Sequence, residues 1–302
     1  MNLSVFTSVF NCFAARIVAF CLIAAIPATG VNGQSDDEAV GWIRFVAGAE
    51  PWQGELQTAI TRYQNPDGVV IELVAAVHIA DAEYYAGLNE YFASQDSVLY
   101  ELVAEANERP SPDVLSDGDS ALGFIQSALA SFLDVSFQLE QIDYSANNFR
   151  HADLSPTQLR KIMQAKGENF FSMFLSLALA QIASDQRQGT ANASVSALNM
   201  FSLFSALAAD DQTSAFKYLF AEELSYSGGI VLGPELEQQI TLLGERNRVA
   251  IEVLTDTLKE PRQRTISIFY GVAHMAGIER EVVKSLGFER KNQRWLTAWK
   301  IP

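Results

Sequence analysis

Cysteine is scarce in this sequence of 302 residues, and its placement limits the chemistry further. The chain has two cysteines, Cys12 and Cys21, and both lie in the N-terminal segment 1–33. Residues 34–302 therefore contain no thiol. This absence excludes disulfide bonds and thiolate metal ligands from that part of the chain.

Basic residues are also few, with 21 Lys and Arg against 36 Asp and Glu, so the formal net charge is −15. The Lys and Arg residues form no cluster along the chain. Nucleic acid and anionic membrane surfaces both bind to basic faces, so neither is expected as the main partner. Hydrophobic residues make up 49% of the chain and charged residues 19%. This composition predicts a folded protein with a large core rather than a disordered chain.

Acidic residues are absent from residues 1–33, which hold a single base, Arg16. An apolar run at 17–26 follows this base and gives way to small residues, which is the layout of a secretory signal peptide. We expect cleavage near Gly30 to Gly33 and an exported protein, periplasmic or extracellular. The alternative is an uncleaved N-terminal membrane anchor, although the apolar run is shorter than the roughly 20 residues that span a bilayer.

The first half of the remaining chain predicts a strand, a helix and a second strand. Residues 69–77 are apolar and β-branched, as in a strand buried on both faces, and they lead to His78. A helix is expected to follow from Asp81 as its N-cap. The next strand, at 97–103, carries Glu101 near its end. Such a unit has the size of a parallel crossover, and ligands bind at the carboxyl ends of its strands.

The segment 119–227 has a helical pattern. A capping box at 155–158, with proline at the first helical position, predicts a helix start. Two apolar stretches, at 170–183 and 195–209, are each about one helix long and too short to span a membrane. They are expected either to pack as a buried helical hairpin or to form an apolar lid that contacts a membrane or a hydrophobic partner.

The last part of the chain repeats the strand, histidine and helix order. A long helix is predicted at 233–259, then a buried strand at 265–270 that leads to His274, a helix at 278–286 and an edge strand at 294–299. We therefore predict an α/β fold. Its mixed central sheet is built from two strand-His-helix halves, with the mostly helical insertion at 119–227 inside one domain that spans 34–302.

The three histidines are His78, His151 and His274, and two of them follow predicted strands. Each of these two could be a buried or capping residue. Together with Glu101 they form the two-histidine, one-carboxylate set that binds Zn, Mn or Fe(II) and leaves positions open for water and substrate. His151 is expected to make a structural hydrogen bond, and Asp81 to act as an N-cap.

These residues resemble the TraB/PrgY and TIKI family, and more distantly the ChaN-like proteins and the erythromycin esterases. The hallmarks of the family are two Gly-x-x-His motifs at strand ends, a glutamate after the second core strand and an arginine on a late helix. The resemblance spans residues 42–299. Its matching segments are 75–78, 100–102, 245–247 and 270–274. One departure is Ala75, which stands where the family usually has glycine.

The resemblance implies a secreted or periplasmic metal-dependent hydrolase, most like a peptidase acting on a peptide or protein. His78, His274 and Glu101 would hold a divalent metal ion (Mn, Zn, Co or Fe) whose bound water attacks a carbonyl, with Glu101 also a candidate base. Arg246 would pair with a carboxylate or stabilise the oxyanion, unless it forms an ordinary surface salt bridge. Glu245 would be a second acid or base.

Two other functions remain open from the sequence. The chain could be a non-catalytic peptide- or haem-binding protein of the TraB/ChaN type, or an interaction module in which the strand-end histidines are buried. Catalysis predicts loss of turnover on His→Ala substitution, haem binding predicts a Soret band, and a peptide sink predicts stoichiometric binding without cleavage.

Overall fold

A computed structural model of the chain describes residues 41–105, 135–167, 202, 205–228 and 243–302. Several predictions from the sequence lie outside these residues: the signal peptide at 1–33, the apolar stretch at 170–183, most of the one at 195–209, and the first part of the helix at 233–259.

A mixed sheet of seven strands forms the centre of the described molecule. Its strands are β1 (Ile43–Ala47), β2 (Gly54–Gln64), β3 (Val70–Ala76), β5 (Ser97–Tyr100), β7 (Phe149–His151), β8 (Thr265–Gly271) and β9 (Glu289–Ile301). The order across the sheet is β1-β2-β3-β8-β5-β7, and β9 pairs with β2 along the other side of that strand. Two short strands, β4 (Ile79–Ala80) and β6 (Ser136–Phe137), pair separately.

Helices cover both faces of the sheet, which confirms the predicted α/β class. They are α1 (Ala82–Phe92), α2 (Gln138–Gln141), α3 (Pro156–Lys166), α4 (Gln212–Gly228), α5 (Gly244–Thr257) and α6 (Met275–Lys284), with a 3-10 turn at Val272–His274. In the part of the chain that the structure describes, no helix is long and apolar enough to span a membrane.

Four parallel strands, β3, β8, β5 and β7, place their carboxyl ends along one edge of the sheet. β3 and β8 are almost entirely buried because their apolar residues alternate between two core clusters. Val74 and Phe269 pack on the side of α1, whereas Leu73 and Ile268 pack on the side of α5 and α6. The two strands that end near the predicted histidines are therefore rigid, central elements of the fold.

The structure differs from the sequence prediction in three elements. β7 is a strand of the main sheet that lies within the segment predicted as mostly helical. The tetrapeptide 245–248 occupies the first turn of α5 rather than the middle of a helix, and α6 begins at Met275, three residues before the predicted start. The capping box of α3 is confirmed, because Ser155 Oγ accepts a hydrogen bond from Gln158 N and Gln158 Oε1 accepts one from Ser155 N.

Asp81 occupies the N-cap position of α1, but its carboxylate does not cap the helix. Oδ1 accepts a hydrogen bond from Lys217 Nζ at 2.6 Å, and Oδ2 accepts one from Lys300 N at 2.6 Å. The Lys217 residue is only 7% exposed, and a buried ammonium needs a countercharge. The carboxylate therefore pairs with α4 and β9 instead of the amides of its own helix.

Candidate functional site

Five charged or titratable side chains meet at the carboxyl edge of the parallel strands. His78 follows β3, Glu101 follows β5, Asp153 follows β7 and His274 follows β8, while Arg246 lies in the first turn of α5. We call these five residues the polar cluster. Parallel strands all end at one edge of a sheet, so the fold brings together residues that are far apart in sequence.

Arg246 links two carboxylates within the polar cluster. Its Nε donates to Asp153 Oδ1 at 2.9 Å and its Nη2 to Asp153 Oδ2 at 2.5 Å, and Nη2 also lies 2.7 Å from Glu101 Oε1. The three side chains are at most 11% exposed. The guanidinium of Arg246 therefore bridges the two buried carboxylates. The predicted pairing of Arg246 with a carboxylate is thus present, and the arginine does not form a surface salt bridge.

Glu101 is held by contacts to both of its carboxylate oxygens. Oε2 accepts a hydrogen bond from Gly271 N at 2.6 Å, and Oε1, which faces Arg246, lies 3.5 Å from His274 Nε2. Burial by itself would raise the pKa of Glu101, but the charges and hydrogen bonds of His274 and Arg246 hold that pKa well below its ordinary range. Glu101 is therefore an ionised carboxylate at neutral pH.

His274 is buried and oriented from both sides of its ring. Its Nδ1 lies 2.7 Å from Oδ1 of Asn247, the residue that follows Arg246 in α5, and its Nε2 is directed at Glu101. His274 is 4% exposed and Asn247 is 5% exposed. The first turn of α5 thus contacts both members of this pair: Arg246 contacts Glu101, and Asn247 contacts His274.

His78 is the exposed histidine of the polar cluster. Its Nδ1 lies 3.2 Å from Gln138 Oε1, and its backbone carbonyl accepts a hydrogen bond from Gln138 N at 2.9 Å. Its Nε2 makes no hydrogen bond to any residue that the structure describes. A methyl group placed on Gly271 would lie 3.6 Å from that nitrogen and 3.2 Å from Glu101 Oε2. The Nε2 of this exposed residue therefore lies close to Gly271 and to the Glu101 carboxylate.

The structure places two other sequence candidates away from the polar cluster. Glu245 forms ion pairs with Lys166 at 3.0 Å and with Arg248 at 3.1 Å on the surface of α5. His151 Nε2 lies 2.6 Å from the carbonyl oxygen of Leu102, in agreement with the structural hydrogen bond expected for it.

Sequence reasoning missed three polar residues that contact the site. Asp153 follows a strand of three residues, which is too short to show alternation. Asn247 follows Arg246 in the matching segment 245–247. Its amide side chain, on the same helical turn as Arg246, was the signal in the sequence that could have indicated it. Gln138 follows β6, and no sequence pattern indicates its contact with His78.

The fit of a divalent metal ion depends on the donor atoms of the cluster. His274 Nε2 and Glu101 Oε1 lie 3.5 Å apart, close to the ~3.4 Å that separates two ligands of one tetrahedral ion. In the described ranges, however, no three His, Cys, Asp or Glu side chains form a group that could hold a metal. A metal ion held by His78, His274 and Glu101 therefore stays a prediction, and the chemistry derived below is that of the side chains.

Comparison with known proteins gives no assignment. No family model matches the sequence, and no curated protein matches it either. The resemblance to the TraB/PrgY and TIKI family therefore stays a prediction that depends on the segments quoted above.

Proposed function

We propose that this protein is an exported hydrolase that cleaves a peptide or ester bond at His78, beside the buried part of the polar cluster. The observation that carries the proposal is the arrangement of the exposed His78 ring: Nδ1 contacts Gln138 Oε1, while Nε2 makes no hydrogen bond to any residue that the structure describes. A neutral imidazole that is held at one nitrogen and open at the other can act as a general base.

The expected reaction is attack of a water molecule on the substrate carbonyl. His78 Nε2 takes a proton from the water as its oxygen bonds to the carbonyl carbon, and later returns a proton to the leaving amine or alkoxide. The Glu101 carboxylate, which lies beside the His78 ring, would stabilise the imidazolium that forms in between. Arg246 pairs with the carboxylates of Glu101 and Asp153, so its role in this reaction is to hold Glu101 in place.

The first experiment measures hydrolysis of a peptide library and of nitrophenyl esters by the purified protein, together with its content of Mn, Zn, Co and Fe. We expect cleavage of one substrate class and a loss of about 100-fold or more in kcat/KM for His78→Gln, as for removal of a general base. His151→Gln is the matched control, because the His151 ring contacts a backbone carbonyl instead of the cluster. Equal activity in wild type and His78→Gln would contradict the proposal.

Metal dependence is measured in the same experiment, since His274 Nε2 and Glu101 Oε1 are at ligand separation. About one metal ion per wild-type chain, lost in a variant that combines His78→Ala with His274→Ala, would support the metal-dependent form of the hydrolase. Cleavage that persists after chelation would support catalysis by the side chains alone.

A second candidate is a binding protein for a peptide or haem that has no turnover. It is favoured by the saturation of Glu101, whose two oxygens are occupied by Arg246 and Gly271 as in a structural ion network. Stoichiometric capture of a peptide without cleavage, or a Soret band after addition of haem, would support this function over hydrolysis.

A further inference from the structure

Gln138 is a buried amide that contacts His78 twice. It is 4% exposed, its backbone N–H donates to the carbonyl of His78, and its Oε1 lies 3.2 Å from His78 Nδ1. The amide is itself held from the other side, because its Nε2 donates to Tyr144 Oη at 2.9 Å. In the hydrolytic chemistry above, Gln138 contacts His78 Nδ1 but takes no part in proton transfer.

The orientation of this amide decides which nitrogen of His78 carries the proton. An amide has its donors on nitrogen and its acceptor on oxygen, so an amide whose nitrogen faces Tyr144 presents only an acceptor to His78. An acceptor opposite Nδ1 requires hydrogen on Nδ1 in the neutral ring, which leaves the lone pair on Nε2. The segment is fixed in place because β4, directly after His78, pairs with β6, directly before Gln138.

We propose that Gln138, anchored by Tyr144, is a positioning residue that holds His78 in the tautomer with hydrogen on Nδ1. The inference rests on the proposed function only where it concerns catalysis. Because Gln138 accepts the hydrogen bond from Nδ1, Nε2 carries the lone pair and is the nitrogen that acts as the base. The tautomer itself is a property of the resting protein and is measured without any substrate.

Two of the three histidines make this measurement direct, because the structure predicts opposite tautomers for His78 and His151. His151 Nε2 faces the carbonyl of Leu102, which only accepts, so His151 carries its hydrogen on Nε2. His78 has an amide oxygen opposite Nδ1, whereas His274 faces an acceptor at each ring nitrogen, Asn247 Oδ1 and Glu101 Oε1, and does not serve as a reference. His151 therefore serves as an internal reference of the opposite tautomer.

The test is a long-range proton–nitrogen correlation spectrum of the full, untagged protein labelled with ¹⁵N-histidine. It is recorded at about pH 8.5, above the ordinary imidazole pKa of about 6.5. Single His→Gln substitutions assign the three rings. We expect a protonated Nδ1 and an unprotonated Nε2 for His78, with the reverse for His151. Hydrogen on Nε2 of His78 in the wild-type protein would overturn the inference.

Variants at position 138 separate positioning from packing. Gln138→Met keeps the volume but removes the acceptor, so His78 should move to the tautomer with hydrogen on Nε2 that predominates in free histidine. Gln138→Glu restores an acceptor and should restore hydrogen on Nδ1. The control is Gln141→Ala, at an exposed position of the same helix, which should leave the His78 signals unchanged. An unchanged His78 tautomer in folded Gln138→Met would overturn the inference.

Kinetics then separate this inference from the proposed function. If hydrolysis is found, Gln138→Met should lower kcat/KM by about 10- to 100-fold, the usual cost of losing a partner that orients a site histidine. Gln138→Glu should recover most of it. If no hydrolysis is found but the tautomers are as expected, the proposed function fails while the positioning role stands. Should Gln138→Met fail to fold, the wild-type spectrum and Gln138→Glu still decide the matter.

Discussion

Arg246 and Arg248 stand two residues apart in α5, yet their ion pairs differ in burial. Replacing Arg246 with Met would remove the guanidinium that bridges the buried carboxylates of Glu101 and Asp153. We expect a loss of about 3–5 kcal/mol in the free energy of unfolding, measured by urea denaturation. This loss is a large share of the stability of an ordinary domain.

The matched control is Arg248→Met, because the Arg248 side chain is 54% exposed and pairs only with surface carboxylates. Exposed pairs contribute about 1 kcal/mol or less, so the control should unfold near the wild-type midpoint. Similar losses for both variants would show that the Arg246 pairs contribute no more than a surface bridge.

Gly271 lies so close to the polar cluster that an added side chain would contact Glu101. A Cβ there would lie 3.2 Å from Glu101 Oε2, which is tighter than ordinary contact, although the backbone of Gly271 would accept alanine. We expect Gly271→Ala to displace the carboxylate and to cost about 1–3 kcal/mol of stability. The expected shift is a lower midpoint in thermal or urea unfolding.

The glycine control is Gly87→Ala in α1, where an added methyl group meets nothing within 4 Å. Alanine is the better helix former by about 0.8–1 kcal/mol, so Gly87→Ala should raise the unfolding midpoint. Opposite signs for the two glycines are therefore predicted. A stabilising Gly271→Ala would contradict the close approach of Glu101.

At the residue scale, the sequence was informative where a side chain follows a strong strand. His78, Glu101 and His274 were found because β3, β5 and β8 are visibly apolar, and all three join the polar cluster. The motif also predicts Glu245 as a site residue, but on a helix neighbouring residues point in different directions. Its neighbour Arg246 therefore contacts the cluster, while Glu245 contacts Lys166.

At the scale of elements, α4 is tied to the start of α1 by one buried ion pair. Lys217 Nζ lies 2.6 Å from Asp81 Oδ1, with the two side chains 8% and 17% exposed. We expect Lys217→Met to cost about 3 kcal/mol, because it leaves the Asp81 carboxylate without its cation. Urea denaturation measures this loss.

A double variant tests whether that cost comes from the uncompensated charge. Asp81→Asn combined with Lys217→Met removes both charges and should regain most of the stability lost by Lys217→Met alone. Lys259→Met is the exposed comparison, since Lys259 and Asp256 are 71% and 76% exposed. The pairing would be contradicted if the double variant lost as much unfolding free energy as the sum of the losses in Asp81→Asn and Lys217→Met.

The elements that the sequence predicted are those with long local signals. The buried strands β3 and β8 and the capping box of α3 each have a signal within a few residues. β7 could not be predicted, since three residues show no periodicity, and it owes its place to pairing with β5. The position of β8 between β3 and β5 is a long-range property for which no local pattern exists.

At the scale of the whole molecule, Glu101 links stability to pH. Its pKa is lowered in the folded protein from an ordinary value of 4.5, chiefly because His274 and Arg246 outweigh its burial. The ionised carboxylate therefore stabilises the fold above pH 4.5, and this contribution is lost as the pH falls from there towards the lowered pKa.

Urea midpoints measured between about pH 7 and about pH 3 test this dependence. Wild type should lose stability on the acid side more steeply than Glu101→Gln, which has no carboxyl to protonate at this position. Glu260→Gln is the control, because the exposed Glu260 carboxylate is screened by solvent. Parallel pH profiles for wild type and Glu101→Gln would contradict the lowered pKa.

The insertion of β8 between β3 and β5 also has a consequence for synthesis on the ribosome. β3 and β5 are complete by Tyr100, but the strand that joins them begins only at Thr265. A nascent chain therefore carries two unpaired, apolar strand edges while more than half of the protein is still being made. Such edges favour aggregation, and they stay unpaired until β8 emerges and pairs with both strands.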